Sequence, residues 1–392
     1  IKRDNVEFWR QSERSDIYKS QLKKLVDAGL AYVSKERELP IDAQANFESP
    51  KKAQGQKRDE VIRFKNPNKT ITFTDLIRGE IQFDTTELGD FVIAKSMEEP
   101  IYHLAVVVDD AEMGITHIIR GEDGISNTPR QILLQEALGF ERPHYAHVPL
   151  ILAPDRTKLS KRRGAIPVGE YRAQGYLSSA VVNYLALLGW NPGTDQETFS
   201  IDELIEIFDL SKVQKGGAVF NVEKLNWFNK HYIATLPAEK KLGYVKEFLS
   251  EKQFEVVSKN LKLLDIMTER VSTFGELRSI VNSGEFDYFF GKPVYKKETL
   301  LWKGGGDLEK TRERLVGVQG LLESISSPSF TKETVKEALW PYAEKEGRGS
   351  VLWPLRVSLS GKEKSPDPFV LAEVLGKEET LSRIEDALNL LS

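Results

Sequence analysis

The stretch Ile115-Thr116-His117-Ile118-Ile119-Arg120-Gly121-Glu122-Asp123, continuing into Asn127-Thr128-Pro129, decides the fold. Residues 115–119 form a near-continuous apolar run, which suits a strand buried in a parallel sheet. Charged residues follow at once, where open α/β sheets bind ligands, just past a strand's C-terminal end. Residues 127–138 then read as a helix, with Thr128-Pro129 at its start and Gly139 at its end. Two flanking runs have the same character. Residues 104–108 run into Asp109-Asp110, and residues 148–152 lead to Pro154-Asp155. Both read as further buried strands, so the segment is half of a doubly wound sheet.

Upstream, residues 16–32 carry a helical stripe of Ile17, Leu22, Leu25 and Val26, with a stop at Gly29. Residues 33–60 are polar and rich in Pro, Gln and Lys, which reads as a loop or insertion. Residues 61–64, 71–73, 80–83 and 91–93 are short strands separated by Pro, Asn, Gly and Asp. Downstream of about residue 167 the periodicity is almost wholly helical. The helices read as 177–188, 201–208, 222–228, 239–249, 261–274, 308–324, 331–342, 352–359, 369–375 and 377–391.

With 392 residues, about 100–200 per domain gives two to four domains. The absence of Cys removes disulfides, thiolate chemistry and Cys-ligated zinc, and fits a reducing cytosol. Five histidines argue against a His-rich metal centre. No apolar run approaches the ~20 residues that span a bilayer, and no secretory signal opens the chain. It begins Ile1-Lys2-Arg3-Asp4, so a processed or incomplete chain is expected. A net charge of −4 argues against a protein that coats DNA. Basic patches at Lys51-Lys52, Lys57-Arg58 and Lys158 to Arg163 leave room for a shaped RNA surface.

The strongest local signal is Lys158-Leu159-Ser160-Lys161-Arg162-Arg163-Gly164. Two lysines three apart can neutralise charge developing on a transferring phosphate. A short basic run is more often a surface patch, but this one follows a strand and a turn that would deliver it to a crevice.

Lys158-Leu159-Ser160-Lys161 resembles the KMSKS signature of class I aminoacyl-tRNA synthetases, with Leu in place of Met. The stretch from Arg120 to Gln131 resembles what bacterial-type glutamyl-tRNA synthetases carry before that signature. Further similarity runs through Arg10-Gln11-Ser12-Glu13-Arg14, Tyr102-His103-Leu104-Ala105 and Val107-Val108-Asp109-Asp110. It continues at Gly216-Gly217, Lys224-Leu225-Asn226-Trp227, Leu352-Trp353-Pro354-Leu355-Arg356 and Ser365-Pro366-Asp367-Pro368. The family's HIGH-like motif is not in the chain, and the resemblance implies an N-terminal segment ahead of Ile1.

The resemblance implies an α/β plus all-α architecture: the second half of a Rossmann-type catalytic domain with an α/β insertion, then helical stem-contact and anticodon-binding domains. The expected boundaries are 1–165 (insertion at about 33–100), 166–235, and 236–392 divided near 294. The implied activity is ATP-dependent ligation of glutamate to its tRNA through a glutamyl-adenylate. Lys158 and Lys161 would be catalytic, binding ATP together with Ser160. Arg120 would grip a glutamate carboxylate in a two-pronged way, and Tyr102 would donate a hydroxyl in the same pocket. The bland alternatives are a salt bridge from Arg120 to Glu122 or Asp123, and a half-buried core role for Tyr102. Arg270, Arg356, Ser365 and Pro366 would contact anticodon bases, and the bland alternative for the two arginines is a surface ion pair. ATP with Mg²⁺ is implied, with no structural zinc. Partners would be the glutamate tRNA, L-glutamate and ATP, without DNA or membrane, in a cytoplasmic monomer. The alternatives are an enzyme that also charges the glutamine tRNA, a non-catalytic tRNA-binding protein, and the short relative that modifies a tRNA base, which the long helical tail disfavours. His103, His117 and His147 read as hydrogen-bonded structural residues, and Trp227 and Trp353 as core.

Overall fold

The structure is a computed structural model that describes residues 9–35, 60–160, 166–302 and 307–392. The chain divides into two compact units. One is Ile1–Ala165 with Leu185–Asn221, and the other is Ile166–Tyr184 with Val222–Ser392.

The first unit opens with helix α1 (Ser15–Asp27) and strands β1 (Ala31–Lys35), β2 (Glu60–Phe64), β3 (Thr70–Asp75), β4 (Gly79–Asp84), β5 (Phe91–Ser96) and β6 (Glu99–Pro100). Helix α2 (Tyr102–Glu112), β7 (His117–Gly121), α3 (Thr128–Leu138), β8 (His144–Val148) and β9 (Ile151–Leu152) follow. An antiparallel sheet has the order β1-β2-β5-β6, and a mixed sheet has the order β4-β3-β8-β7, in which β8 runs parallel to both β3 and β7. Tyr18 and Leu22 of α1, Phe64, Phe73 and Ile93 of the strands, Leu104 and Val108 of α2, and Leu133 of α3 share one core.

Residues 104–108 lie in a helix, not in the strand expected for them. Leu104, Val107 and Val108 recur at i, i+3, i+4 and are buried, so they meet the core as one helical face. A five-residue apolar run cannot by itself distinguish a buried strand from a helix turned inward. What settles it is Asp109, buried near the end of α2. Its carboxylate accepts from Arg14 Nε at 2.9 Å, Gln11 Nε2 at 2.9 Å and the Tyr18 hydroxyl at 2.8 Å. Burial and the bond to Asp109 push the Tyr18 hydroxyl up to about 12. Two motifs 95 residues apart, Gln11 to Arg14 and Val107 to Asp110, therefore meet at one carboxylate.

Helices α4 (Val168–Ala173), α5 (Ser178–Leu187), which crosses the unit boundary, and α6 (Ile201–Ile207) precede the short strand β10 (Ala218–Val219), parallel to β9. The second unit continues with α7 (Val222–Thr235), α8 (Ala238–Val245), α9 (Glu251–Ser258), α10 (Leu261–Glu269), α11 (Phe274–Asn282) and α12 (Asp287–Phe290). It ends with α13 (Leu308–Glu323), α14 (Lys332–Glu346), α15 (Arg348–Ser360), α16 (Pro368–Leu375) and α17 (Lys377–Leu391). Trp227 was expected in the core but is 48% exposed. It sits on the outer face of α7, with the Lys224 ammonium 4.4 Å from the centre of its ring. Trp353 is partly buried and donates to the Thr299 carbonyl at 2.9 Å. The buried Arg383 of α17 donates to the carbonyls of Tyr288 at 2.8 Å and Leu359 at 2.5 Å, which ties the end of α15 to α12.

Candidate functional site

Strands β7 and β8 pair in parallel, with Arg120 opposite His147. Arg120 stands at the C-terminal end of β7 and turns into the loop that follows. Its Nε donates to His147 Nε2 at 3.1 Å, and its Nη2 to the Gly124 carbonyl at 3.1 Å and Thr128 Oγ1 at 2.8 Å. All three acceptors are neutral. Among the described residues no carboxylate forms an ion pair with Arg120, so the alternative of a bridge to Glu122 or Asp123 does not hold. Those two carboxylates are taken: Glu122 by Arg78, and Asp123 by Lys158 at 2.7 Å. The charge of Arg120 is felt nearby. Burial first, then the positive charges of Arg130 and Arg120, bring His103 down to about 4.

Gly124 is where this loop needs a glycine. A Cβ there would stand 2.5 Å from Arg120 Nε and 2.8 Å from its Cδ. With the guanidinium held on three acceptors, Gly124→Ala is expected to cost about 1–3 kcal/mol by overpacking. Urea unfolding checks this, and an unchanged midpoint would mean that Arg120 swings clear at no cost.

Lys158 is delivered by a tight reversal after β9. The Ala153 amide donates to the Thr157 carbonyl at 2.8 Å, and the Leu159 amide to the Ile151 carbonyl at 2.9 Å. Asp155 Oδ1 accepts from the Thr157 amide at 3.0 Å and its hydroxyl at 2.6 Å. Arg156 takes φ +62 to close the turn. The Lys158 hydrogen bond, ahead of burial which opposes it, holds the Asp123 carboxyl below the usual range. Ser160 is exposed beside it. Lys161 lies outside the described residues. Tyr102 is the first residue of α2 and 54% exposed, not a half-buried core residue, and its ring meets that of His103 at 5.4 Å. Arg120 and Lys158 are thus both fastened to the 121–128 loop.

In the second unit a cavity of about 670 Å³ is lined by Arg270, Ser283, Glu285, Arg356, Lys362, Glu363, Lys364 and Ser365. Three of the four residues singled out in this half of the chain meet there. Arg270 pairs with Glu285 and lies 5.7 Å over the Phe286 ring. Among the described residues Arg356 Nε is buried without a hydrogen-bond partner. Ser365 Oγ accepts from Ser360 Oγ at 3.1 Å and donates to the carbonyl of Pro366, the fourth residue, at 3.3 Å. Gly361 ends α15 at φ +67 and starts the loop that carries Lys362 to Ser365. A Cβ there would also stand 2.9 Å from Pro293 Cβ. Four basic side chains face two acidic ones in this cavity, a net positive balance.

His147, read as a hydrogen-bonded structural residue, is one, held between Arg120 and Asp75, whereas nothing in the sequence singled out Asp75 or the pairing of Asp123 with Lys158. Asp123 lay within a quoted motif, but only the folded chain shows that Lys158 reaches it.

Fold and site define a class I aminoacyl-tRNA synthetase: the family profile "tRNA synthetases class I (E and Q), catalytic domain" matches residues 42–227, and "Anticodon binding domain" matches residues 223–388. The glutamate–tRNA ligase of Natranaerobius thermophilus is 37% identical over 97% of this chain and 82% of its own length. That of Carboxydothermus hydrogenoformans is 39% identical over 97% and 84%. A crystal structure of a glutamate tRNA ligase from Elizabethkingia meningosepticum, in complex with its amino acid, superposes with a TM-score of 0.74 at 32% identity, over 99% of this chain and 85% of that one. The chain belongs to the glutamate–tRNA ligase family.

Proposed function

We propose that this chain joins glutamate to tRNA at the expense of ATP. The glutamate α-carboxylate attacks the α-phosphate and pyrophosphate leaves. The acyl group then passes from the adenylate to the tRNA 3′ end, releasing AMP. A carboxylate is already nucleophilic, so the protein's task is positioning and charge stabilisation. The observation that carries this reading is Arg120: a guanidinium at a strand's C-terminal end, held by neutral acceptors, keeps its charge for a substrate carboxylate. Tyr102 would supply a hydroxyl in the same pocket. Lys158 would exchange the Asp123 carboxylate for nucleotide phosphates, which Ser160 and Lys161 would also bind.

Mg²⁺ neutralises charge on the phosphates when it arrives with ATP. Phosphate oxygens and water would supply most of its ligands; among the described residues no group of three or more His, Cys, Asp or Glu is placed to hold a metal. Among those residues no helix is long and apolar enough to cross a membrane, and work in the cytoplasm as a monomer fits the reading. Residues 166–235 would contact the tRNA stem, and the regions 236–294 and 295–392 the anticodon. The direct test is ATP–pyrophosphate exchange in the presence of tRNA. Exchange should depend on glutamate, and support by glutamine or aspartate alone would overturn the assignment.

Arg356 is the sharpest test of the anticodon reading. If its guanidinium contacts a base, the parent should prefer wild-type over anticodon-substituted tRNA by about 1–3 kcal/mol, the worth of a good base contact. Arg356→Ala should charge both similarly. Equal weakening on both tRNAs, with the preference intact, would make Arg356 a docking charge only.

A further inference from the structure

We infer that the buried pair Asp75–His147 is a positioning device for Arg120: it holds the imidazole in the one tautomer whose Nε2 can accept from the guanidinium. The inference rests on the reading of Arg120 as the substrate-carboxylate contact. The three residues lie on three neighbouring strands, β3, β8 and β7, and form a row across the sheet. Both side chains of the pair are fully buried, with His147 Nδ1 2.6 Å from Asp75 Oδ2. Asp75 Oδ1 also accepts from the amides of Ile77 at 3.0 Å and Arg78 at 2.9 Å, and the His147 amide approaches Oδ2 at 3.1 Å and Oδ1 at 3.3 Å.

Protonation states follow from these contacts. Burial opposes charge on Asp75, but the Arg78 amide, the His147 ring and the other two amides outweigh it, and the carboxyl lies below its usual range. Burial, ahead of the opposing bond to Asp75, lowers His147. An ionised Asp75 beside a neutral imidazole accepts from Nδ1–H, which leaves a lone pair on Nε2. That lone pair takes Arg120 Nε–H at 3.1 Å, with Thr128 Oγ1 3.3 Å from the same nitrogen. The other charges around the ring are Arg120 and, through its bond to the His147 carbonyl, Arg78, while Tyr145 stacks on it at 6.2 Å. Burying such a polar chain costs desolvation that an apolar strand crossing would avoid. Its end on a partly exposed arginine is what it secures.

Asp75→Asn tests this in the full-length protein. The asparagine Oδ1 retains the Ile77 and Arg78 amides, while its NH₂ must donate to Nδ1. The proton then moves to Nε2 and opposes Arg120 Nε–H. The glutamate KM should rise about 10- to 100-fold, the cost of losing a hydrogen bond to a charged group, with the ATP KM near that of the parent. With five histidines in the chain, ¹⁵N NMR can follow the tautomer directly, as Nδ1–H in the parent and Nε2–H in the variant. If Asp75→Asn fails to fold, His147→Gln against His147→Leu replaces it. Gln keeps an acceptor near the Nε2 position and should retain a lower glutamate KM than Leu. A switched tautomer with an unchanged glutamate KM, a parallel rise in both KM values, or equal KM values for the Gln and Leu variants would overturn the inference. An Arg120→Lys variant run alongside separates the failures. If it leaves the glutamate KM untouched, the substrate reading of Arg120 is what has failed.

Discussion

Arg120→Lys is expected to raise the glutamate KM by about 30- to 1000-fold, equivalent to about 2–4 kcal/mol for breaking a hydrogen-bonded charge pair. The charge survives the substitution, so the loss is one of geometry. A guanidinium can hold His147 with Nε, and Gly124 and Thr128 with one terminal nitrogen, which leaves the other terminal nitrogen and its two protons for a carboxylate. An ammonium has no planar fork and cannot reproduce this. The KM for ATP should move little. Both constants come from the same ATP–pyrophosphate exchange assay. If ATP suffers and glutamate does not, Arg120 belongs to the nucleotide.

Lys158→Ala should slow exchange by ~10²-fold or more, the loss that follows removal of one electrostatic stabiliser of a transition state. The same is expected of Lys161→Ala. Stability should hardly change, because the Lys158–Asp123 pair is more than half exposed on both sides and such pairs contribute about 0–1 kcal/mol. A variant with near-normal folding and undiminished exchange would reduce the Lys158 loop to a surface patch. A large fall in the urea midpoint would show that the loop's role is in holding the fold together.

The strands 61–64, 71–73, 80–83 and 91–93 were legible because their apolar residues alternate or run between Pro, Asn and Gly, and each lies within an observed strand. Helix α3 was legible from its Pro start and its Gly stop. Residues 31–35 were not recognised as a strand. Tyr32 and Val33 are exposed and only Ala31 is buried, so no alternation marks it. What holds β1 is its hydrogen-bonded partner β2, which lies across residues 36–59.

By itself the sequence determined which chemistry the chain carries. The Lys158-Leu159-Ser160-Lys161 loop, the Arg120 stretch and the helical second half identified the family, because motifs are local and survive being read in order. Tertiary structure decided which charges are neutralised and which are kept for a ligand. Lys158 rather than Arg120 takes the Asp123 carboxylate. Asp75 finds His147 72 residues away. Arg270, Arg356 and Ser365, spread over 95 positions, line one cavity. Electrostatics and hydrogen bonding act over a few ångströms in space, whereas the chain order carries no distance between residues so far apart. Only packing of the sheet and of the helices brings them within reach.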